Sequence, residues 1–256
     1  MPFDHVLITG ASSGLGAALA RALARPGTRL HLGARRPAEL AEVAEACRTL
    51  GAEVETRCVD VRDGAAMEAW ITGVGRLDLV IANAGISAGT GHAAEAAATA
   101  REIFETNILG AMNTTLPALQ VMGEQTPGPD GWRGHVAVVA SLAAFVAGPS
   151  APAYSASKAT VQRWTEARDA TERRRGIRLH AVCPGFVQTA MTERNAFPMP
   201  WLMTADQAAA RTLRGIERGR LRVVYPRRLY LIARLVGALP PGLRNRLMAL
   251  VPPKAI

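Results

Sequence analysis

Cysteine is scarce in this chain of 256 residues, and the scarcity removes two classes at once. Cys47, Cys58 and Cys183 are an odd number at unrelated spacings, with no CxxC pair and no histidine cluster. Neither a disulfide framework nor a zinc ligand set is therefore expected, and the thiols are read as reduced and buried. Long apolar runs are missing too. The run in the tail, Leu229 to Leu239, covers eleven residues and is interrupted by Arg234, against the roughly 20 that cross a bilayer. Only Met1, Pro2, Phe3 and Asp4 precede the first apolar run, too few for the regions of a signal peptide, so a cytoplasmic location is expected. Internal repeats are absent, and Ala93 to Ala100 reads as a helix face. Acidic residues fail in one stretch: from Arg211 to Ile256 there are eleven Lys plus Arg against the single acid Glu217. The preceding residues hold nineteen basic and twenty acidic side chains, so the net charge of +9 resides in the C-terminal segment. Such asymmetry points to an anionic partner.

What is present is a full core's worth of apolar residues, 49% of the chain, enough for one α/β domain. Short apolar runs near 5–9, 28–33, 53–58, 77–82, 135–140, 178–183 and 221–225 alternate with longer helical patterns. That alternation predicts βαβ units, a doubly wound parallel sheet and a three-layer α/β/α architecture. The segment Thr126 to Gly131, rich in Pro and Gly, reads as a loop. Residues 1–226 are taken as the main domain, with a lid at about 186–204, and 227–256 as a basic, apolar extension of it.

Two constellations carry chemistry. The first, Thr9-Gly10-Ala11-Ser12-Ser13-Gly14-Leu15-Gly16, lies between a strand-like run and a helix-like one. Glycines let backbone approach a pyrophosphate, and a helix N-terminus offers free N–H groups and a positive dipole end. The second is Tyr154-Ser155-Ala156-Ser157-Lys158, preceded thirteen residues earlier by Ser141. Residues four apart on a helix are neighbours, so the Lys158 ammonium is expected to lower the Tyr154 pKa and make the phenol a usable proton donor and acceptor.

With these residues in order, the chain resembles the short-chain dehydrogenase/reductase family over about residues 3 to 190. Thr9 to Gly16 is similar to the family's TGxxxGxG loop, Asp60-Val61 to its adenine-side acidic position, and Asn83-Ala84-Gly85 to its NAG segment. Asn107, Ser141, Tyr154 and Lys158 match the active-site tetrad, and Pro184-Gly185 with Val187 and Thr189 the segment that meets the nicotinamide. The resemblance implies a Rossmann-type fold and hydride transfer between nicotinamide and a carbonyl carbon. In it Tyr154 is the acid or base, and Lys158 tunes Tyr154 and binds the nicotinamide ribose. Ser141 holds the substrate oxygen, and Asn107 organises a water linking Lys158 to solvent.

The end of the second strand, Leu32-Gly33-Ala34-Arg35-Arg36, carries no Asp or Glu for a ribose 2′-OH and two arginines suited to a 2′-phosphate. NADP(H) is expected over NAD(H), with Arg35 the first candidate and Arg36 the second. The glycine loop lacks the second basic residue common in NADP-type relatives; Ser12 and Ser13 stand there. Phe145, Val146, Phe186, Met191, Phe197, Met199, Pro200, Trp201, Leu202 and Met203 suggest an apolar cleft for a small-molecule ketone or alcohol. A non-enzymatic dinucleotide-binding redox sensor or scaffold is the alternative. No nucleic-acid partner is expected. No DGG segment follows Leu221 to Pro226, which leaves a homo-oligomer open. Pro240-Pro241 is expected to end the helix before it. The tail can either pack on its own domain or a second subunit, or lie peripherally on an anionic membrane.

Overall fold

The parallel strands form where β-branched and leucine runs can be buried on both faces. In the computed structural model, which describes residues 3–90, 93–193 and 198–250, they build one sheet. Its strands are β1 (His5–Thr9), β2 (Arg29–Ala34), β3 (Glu53–Cys58), β4 (Leu79–Ala82), β5 (Gly134–Val139), β6 (Ile177–Pro184) and β7 (Arg222–Tyr225). Their order, β3-β2-β1-β4-β5-β6-β7, is all parallel and reverses direction between β1 and β4. This is the Rossmann-type doubly wound sheet, and each strand lies within two residues of its predicted place.

The helices are α1 (Gly14–Leu23), α2 (Pro37–Thr49), α3 (Gly64–Thr72), α4 (Ala97–Phe104), α5 (Gly110–Glu124), α6 (Pro152–Glu172), α7 (Ala190–Glu193), α8 (Ala205–Glu217), α9 (Arg227–Ala238) and α10 (Pro241–Met248). Two cores follow from the period-two pleat. On one face Val6 and Ile8 of β1 and Leu79 and Ile81 of β4 pack with Leu19 of α1, Leu40 of α2 and Leu213 of α8. On the other, Leu7 and Val80 pack with Met67 of α3, Leu119 of α5 and Val161 of α6.

β3 is an edge strand, and its Glu53, Glu55 and Arg57 are exposed charges of the kind that keep an edge from pairing. The same exposure corrects one expectation: Cys47 and Cys183 are buried, but Cys58 at the end of this strand is exposed. At the other end α9 does not hang free. Leu229 and Tyr230 pack into the second core, Tyr230 meets Phe145 edge-on at 5.1 Å between ring centroids, and Arg222 donates to the Tyr230 hydroxyl at 2.8 Å. Pro240 ends α9 and Pro241 opens α10, a position that needs no N–H donor.

Candidate active site

Ligands of such sheets sit outside the carboxyl ends of the strands at the point where their order reverses. A cavity of about 360 Å³ opens there. Gly10, Ser12, Ser13, Gly14 and Leu15 line it after β1, Arg35 and Arg36 after β2, and Asp60 and Val61 after β3. Asn83, Ala84 and Gly85 follow β4, Ser141 follows β5, and Pro184, Gly185, Val187 and Thr189 come from the end of β6 and beyond. Tyr154 and Lys158 reach in from α6. Of the predicted residues, Gly16 and Asn107 do not line the cavity; both stand directly behind it.

Gly16 is dictated by a close approach. A Cβ there would stand 2.3 Å from the Gly10 carbonyl oxygen, so any side chain would push α1 off the loop. Asn83 fastens the same loop to β4: its amide donates to the carbonyls of Thr9 and Gly10, each at 3.1 Å, and its N–H donates to the Thr9 hydroxyl at 3.2 Å. Thr9 is thus part of the site's frame, a role that its place inside a strand-like run concealed. Ser13 stands at the N-cap of α1 without a side-chain cap, and no acid occupies the first turn. The N–H groups and positive dipole end of α1 therefore face the glycine loop, a surface suited to pyrophosphate.

Arg36 donates to the hydroxyls of Ser12 and Ser13 at 3.2 and 2.8 Å and pairs with Glu39 at 3.0 Å. Arg35 points towards Asp60, 3.9 Å away. Asp60 is held mainly by Arg62, whose hydrogen bonds keep the carboxyl below its ordinary pKa.

Around the tetrad the lysine is buried and donates to the Val139 carbonyl at 2.8 Å, with Nζ 5.9 Å from the centroid of the Tyr154 ring. Burial brings its pKa down to about 8. Tyr154 hydrogen-bonds the Ser141 hydroxyl, yet burial holds its pKa above the ordinary value. The expected lowering by Lys158 is therefore not seen in this arrangement: desolvation of the phenol outweighs the Ser141 bond.

Asn107 sits in a π-helical turn, Glu105–Leu109, between α4 and α5. Its Oδ1 accepts the Ile86 N–H at 2.8 Å, and its amide donates to the Ile86 carbonyl and the Ser157 hydroxyl, each at 3.0 Å. The side chain is thus occupied by protein partners and ties the π-helical turn to Ile86 and to α6 through Ser157. Ser157, also unforeseen, links the Tyr154 carbonyl to Asn107.

The segment read as a lid is tied at its two ends, where Met203 and the Phe186–Gln188 segment exchange backbone hydrogen bonds. Of the apolar residues proposed for the cleft, Met191 lines the cavity, joined by Val187 and Ala190. Trp201 and Leu202 are exposed, Phe145 turns to Tyr230, and Phe197 lies outside the described residues.

The cavity fits a nicotinamide dinucleotide by its own features. These are the glycine loop under an uncapped helix start, the buried Thr106 hydroxyl without a protein partner in its wall, and Lys158 and Tyr154 at the far end. No group of acidic, histidine and cysteine side chains among the described residues could hold a metal ion.

Comparison with known proteins agrees with this geometry. The model of the short chain dehydrogenase family matches residues 4–197. An oxidoreductase of Myxococcus xanthus is 36% identical over 244 residues, 94% of each chain. A protein of Streptomyces virginiae, named as the candidate ketoacyl reductase of the monensin polyketide synthase, is 36% identical over 192 residues, 73% of this chain and 72% of its own. Among solved structures, a short-chain dehydrogenase from Sphingobium yanoikuyae in complex with NADPH superimposes with a TM-score of 0.79 at 27% identity, covering 97% of this chain and 96% of that one.

Proposed function

The chain belongs to the short-chain dehydrogenase/reductase family of oxidoreductases, and we propose that it works with NADP(H) on an apolar ketone or secondary alcohol. The observation that carries this reading is the convergence of Tyr154, Ser141 and Lys158 on the cavity that also holds the glycine loop and two arginines. When bound, the nicotinamide supplies two-electron reduction of a carbonyl carbon; the rest falls to the protein. Ser141 and Tyr154, hydrogen-bonded to each other, hold the substrate oxygen where charge develops. Tyr154 gives its proton to that oxygen. Its raised pKa keeps the phenol protonated at neutral pH, which suits the reductive direction. Lys158, at about 8, is still cationic there and stabilises the phenolate that remains.

NADP(H) is favoured over NAD(H) by the arginines at the end of β2. Arg36, folded onto Ser12 and Ser13, supplies from α2's threshold the positive charge that the loop lacks, with Arg35 beside it. The apolar wall of Val187, Ala190 and Met191 disfavours a free sugar. Ketoacyl compounds, for which one relative is named, fall within the same carbonyl class. The cofactor assignment and the free thiols both suit the cytoplasm. The test is NADPH absorbance with a panel of ketones, ketoacyl thioesters and diketones. Oxidation of NADPH by apolar members supports the reading; no turnover with any ketone, or with the corresponding alcohols and NADP, refutes it.

A further inference from the structure

The positive charge of the C-terminal segment is gathered into a cleft. Arg211 and Arg214 of α8 and Arg218 at its C-cap, at spacings of three and four, share one face of that helix. With Arg220 and Arg227 they surround a cavity of about 210 Å³ beside β7, floored by Val223 and Tyr225. None of the five guanidinium groups forms an ion pair among the described residues, whereas Arg222, on the other side of the strand, is paired with Glu166. β7 is also the second edge strand of the sheet, opposite β3.

The cleft runs into an apolar ridge. α9 begins at Arg227, and its outward residues Leu231, Ile232 and Leu235 are 59%, 47% and 70% exposed, spaced to form one stripe one turn on from Arg227 and Arg228. Its inward residues Leu229, Tyr230 and Ala233 are already used by the core. On α10 and just beyond it, Leu243, Leu247 and Leu250 repeat the stripe at spacings of four and three, with Arg246 exposed alongside.

We infer that the arginine cleft binds the phosphate headgroups of anionic lipids while the leucine ridge of α9 and α10 enters the acyl boundary, seating the protein peripherally on a membrane. Unpaired guanidinium groups match phosphate, and apolar side chains beside clustered arginines match a charged interface. No helix of the described residues is long and apolar enough to cross a membrane, so the contact lies in the interface plane. A second copy fits poorly. An isologous partner whose two-fold axis passed through the cleft would bring its arginines against their own copies, like charge on like charge. Nucleic acid would use the arginines but leave the leucines in water.

Co-sedimentation of the full-length protein with phosphatidylcholine vesicles, with and without phosphatidylglycerol, at low and high salt, tests this. Binding is expected to the anionic vesicles only, and to be lost at high salt. Arg218→Glu with Arg227→Glu should weaken it by about tenfold or more, and Leu231→Ser with Leu235→Ser should weaken it as well. Thermal midpoint and NADPH binding should stay unchanged in both pairs, showing that the fold and the dinucleotide site are intact. If the glutamate pair fails to fold, Arg218→Gln with Arg227→Gln takes its place. Absence of wild-type binding, equal binding to neutral vesicles, or indifference to either pair overturns the proposal. Two further results, each without vesicle binding, would also overturn it by reassigning the cleft: thermal stabilisation by pyrophosphate, to a soluble phosphate compound; retention by duplex DNA, to nucleic acid.

Discussion

Tyr154 and Lys158 are both displaced from their ordinary pKa values by burial: the phenol keeps its proton, as a donor in the reductive direction must, and the ammonium is brought down to about 8, which leaves it cationic at neutral pH. Tyr154→Phe removes the proton donor but keeps the ring. Turnover on a ketone should fall by at least about 100-fold while NADPH affinity, read by fluorescence, stays nearly constant; near-normal turnover would show that another group is the acid. Lys158→Met should abolish turnover too, with an opposite effect on stability. Its native pKa of about 8 lies below the value of 10.5 for a free lysine, so the cost of the buried charge is full below pH 8. Above it the native state loses the proton first, and the cost fades until the unfolded chain also titrates. The methionine variant should therefore be more stable than wild type by up to about 3 kcal/mol at neutral pH. That gap should shrink between pH 8 and about 10. Denaturant midpoints of the two proteins across that range decide it; a gap that widens with pH would mean the lysine is not buried as a cation.

The elements that hold these residues were legible to different degrees, for reasons that lie in their chemistry. β1, β4, β5 and β6 are buried on both faces, so their runs are largely apolar, and each ends at or just before a residue of the site. β3, with its exposed charges, carries little apolar signal of its own, and its place follows from the alternation of strand-like and helical segments along the chain. The reach of Arg36 onto Ser12 and Ser13 was not readable, because a long side chain chooses its partner from the tertiary arrangement rather than from spacing. The π-helical turn that consigns Asn107 to Ile86 and Ser157 was likewise invisible, as no residue pattern announces it. Nor did the apolar run of α9 reveal that one side of it braces the turn after Ser141. That contact is close: a Cβ on Gly237 would stand 1.8 Å from the Phe145 carbonyl oxygen. Gly237→Ala should therefore force α9 away from the turn, at a cost of about 1–3 kcal/mol, and lower turnover by displacing Ser141. Gly242→Ala, with nothing within 4 Å of the added methyl, is the control. Equal thermal midpoints and rates for the two variants would exclude α9 as a brace.

For the molecule as a whole, the glycine loop, the arginines of the β2–α2 turn, Ser141 after β5 and the Tyr154–Lys158 pair of α6 come from separate stretches of chain that only the folded sheet brings to one cavity. A dinucleotide that binds there binds the native state alone, so its affinity appears as global stability, about 2.7 kcal/mol at a concentration 100 times its Kd. For a domain of this size, with about 2–4 °C of thermal midpoint per kcal/mol, the expected rise with saturating NADPH is of order 5–10 °C. If the 2′-phosphate is held by Arg36 with Ser12 and Ser13, and by Arg35 beside them, NADH at the same concentration should give a clearly smaller rise. A charged hydrogen bond of this kind is worth about 1.5–3 kcal/mol. Arg36→Ala and Arg35→Asp divide the contribution between the two guanidinium groups. Each should reduce the NADPH shift while leaving the NADH shift near its wild-type value, the larger loss marking the principal phosphate ligand. Equal shifts for NADPH and NADH in the wild-type protein, or NADPH shifts that neither substitution alters, would overturn the preference for NADP(H).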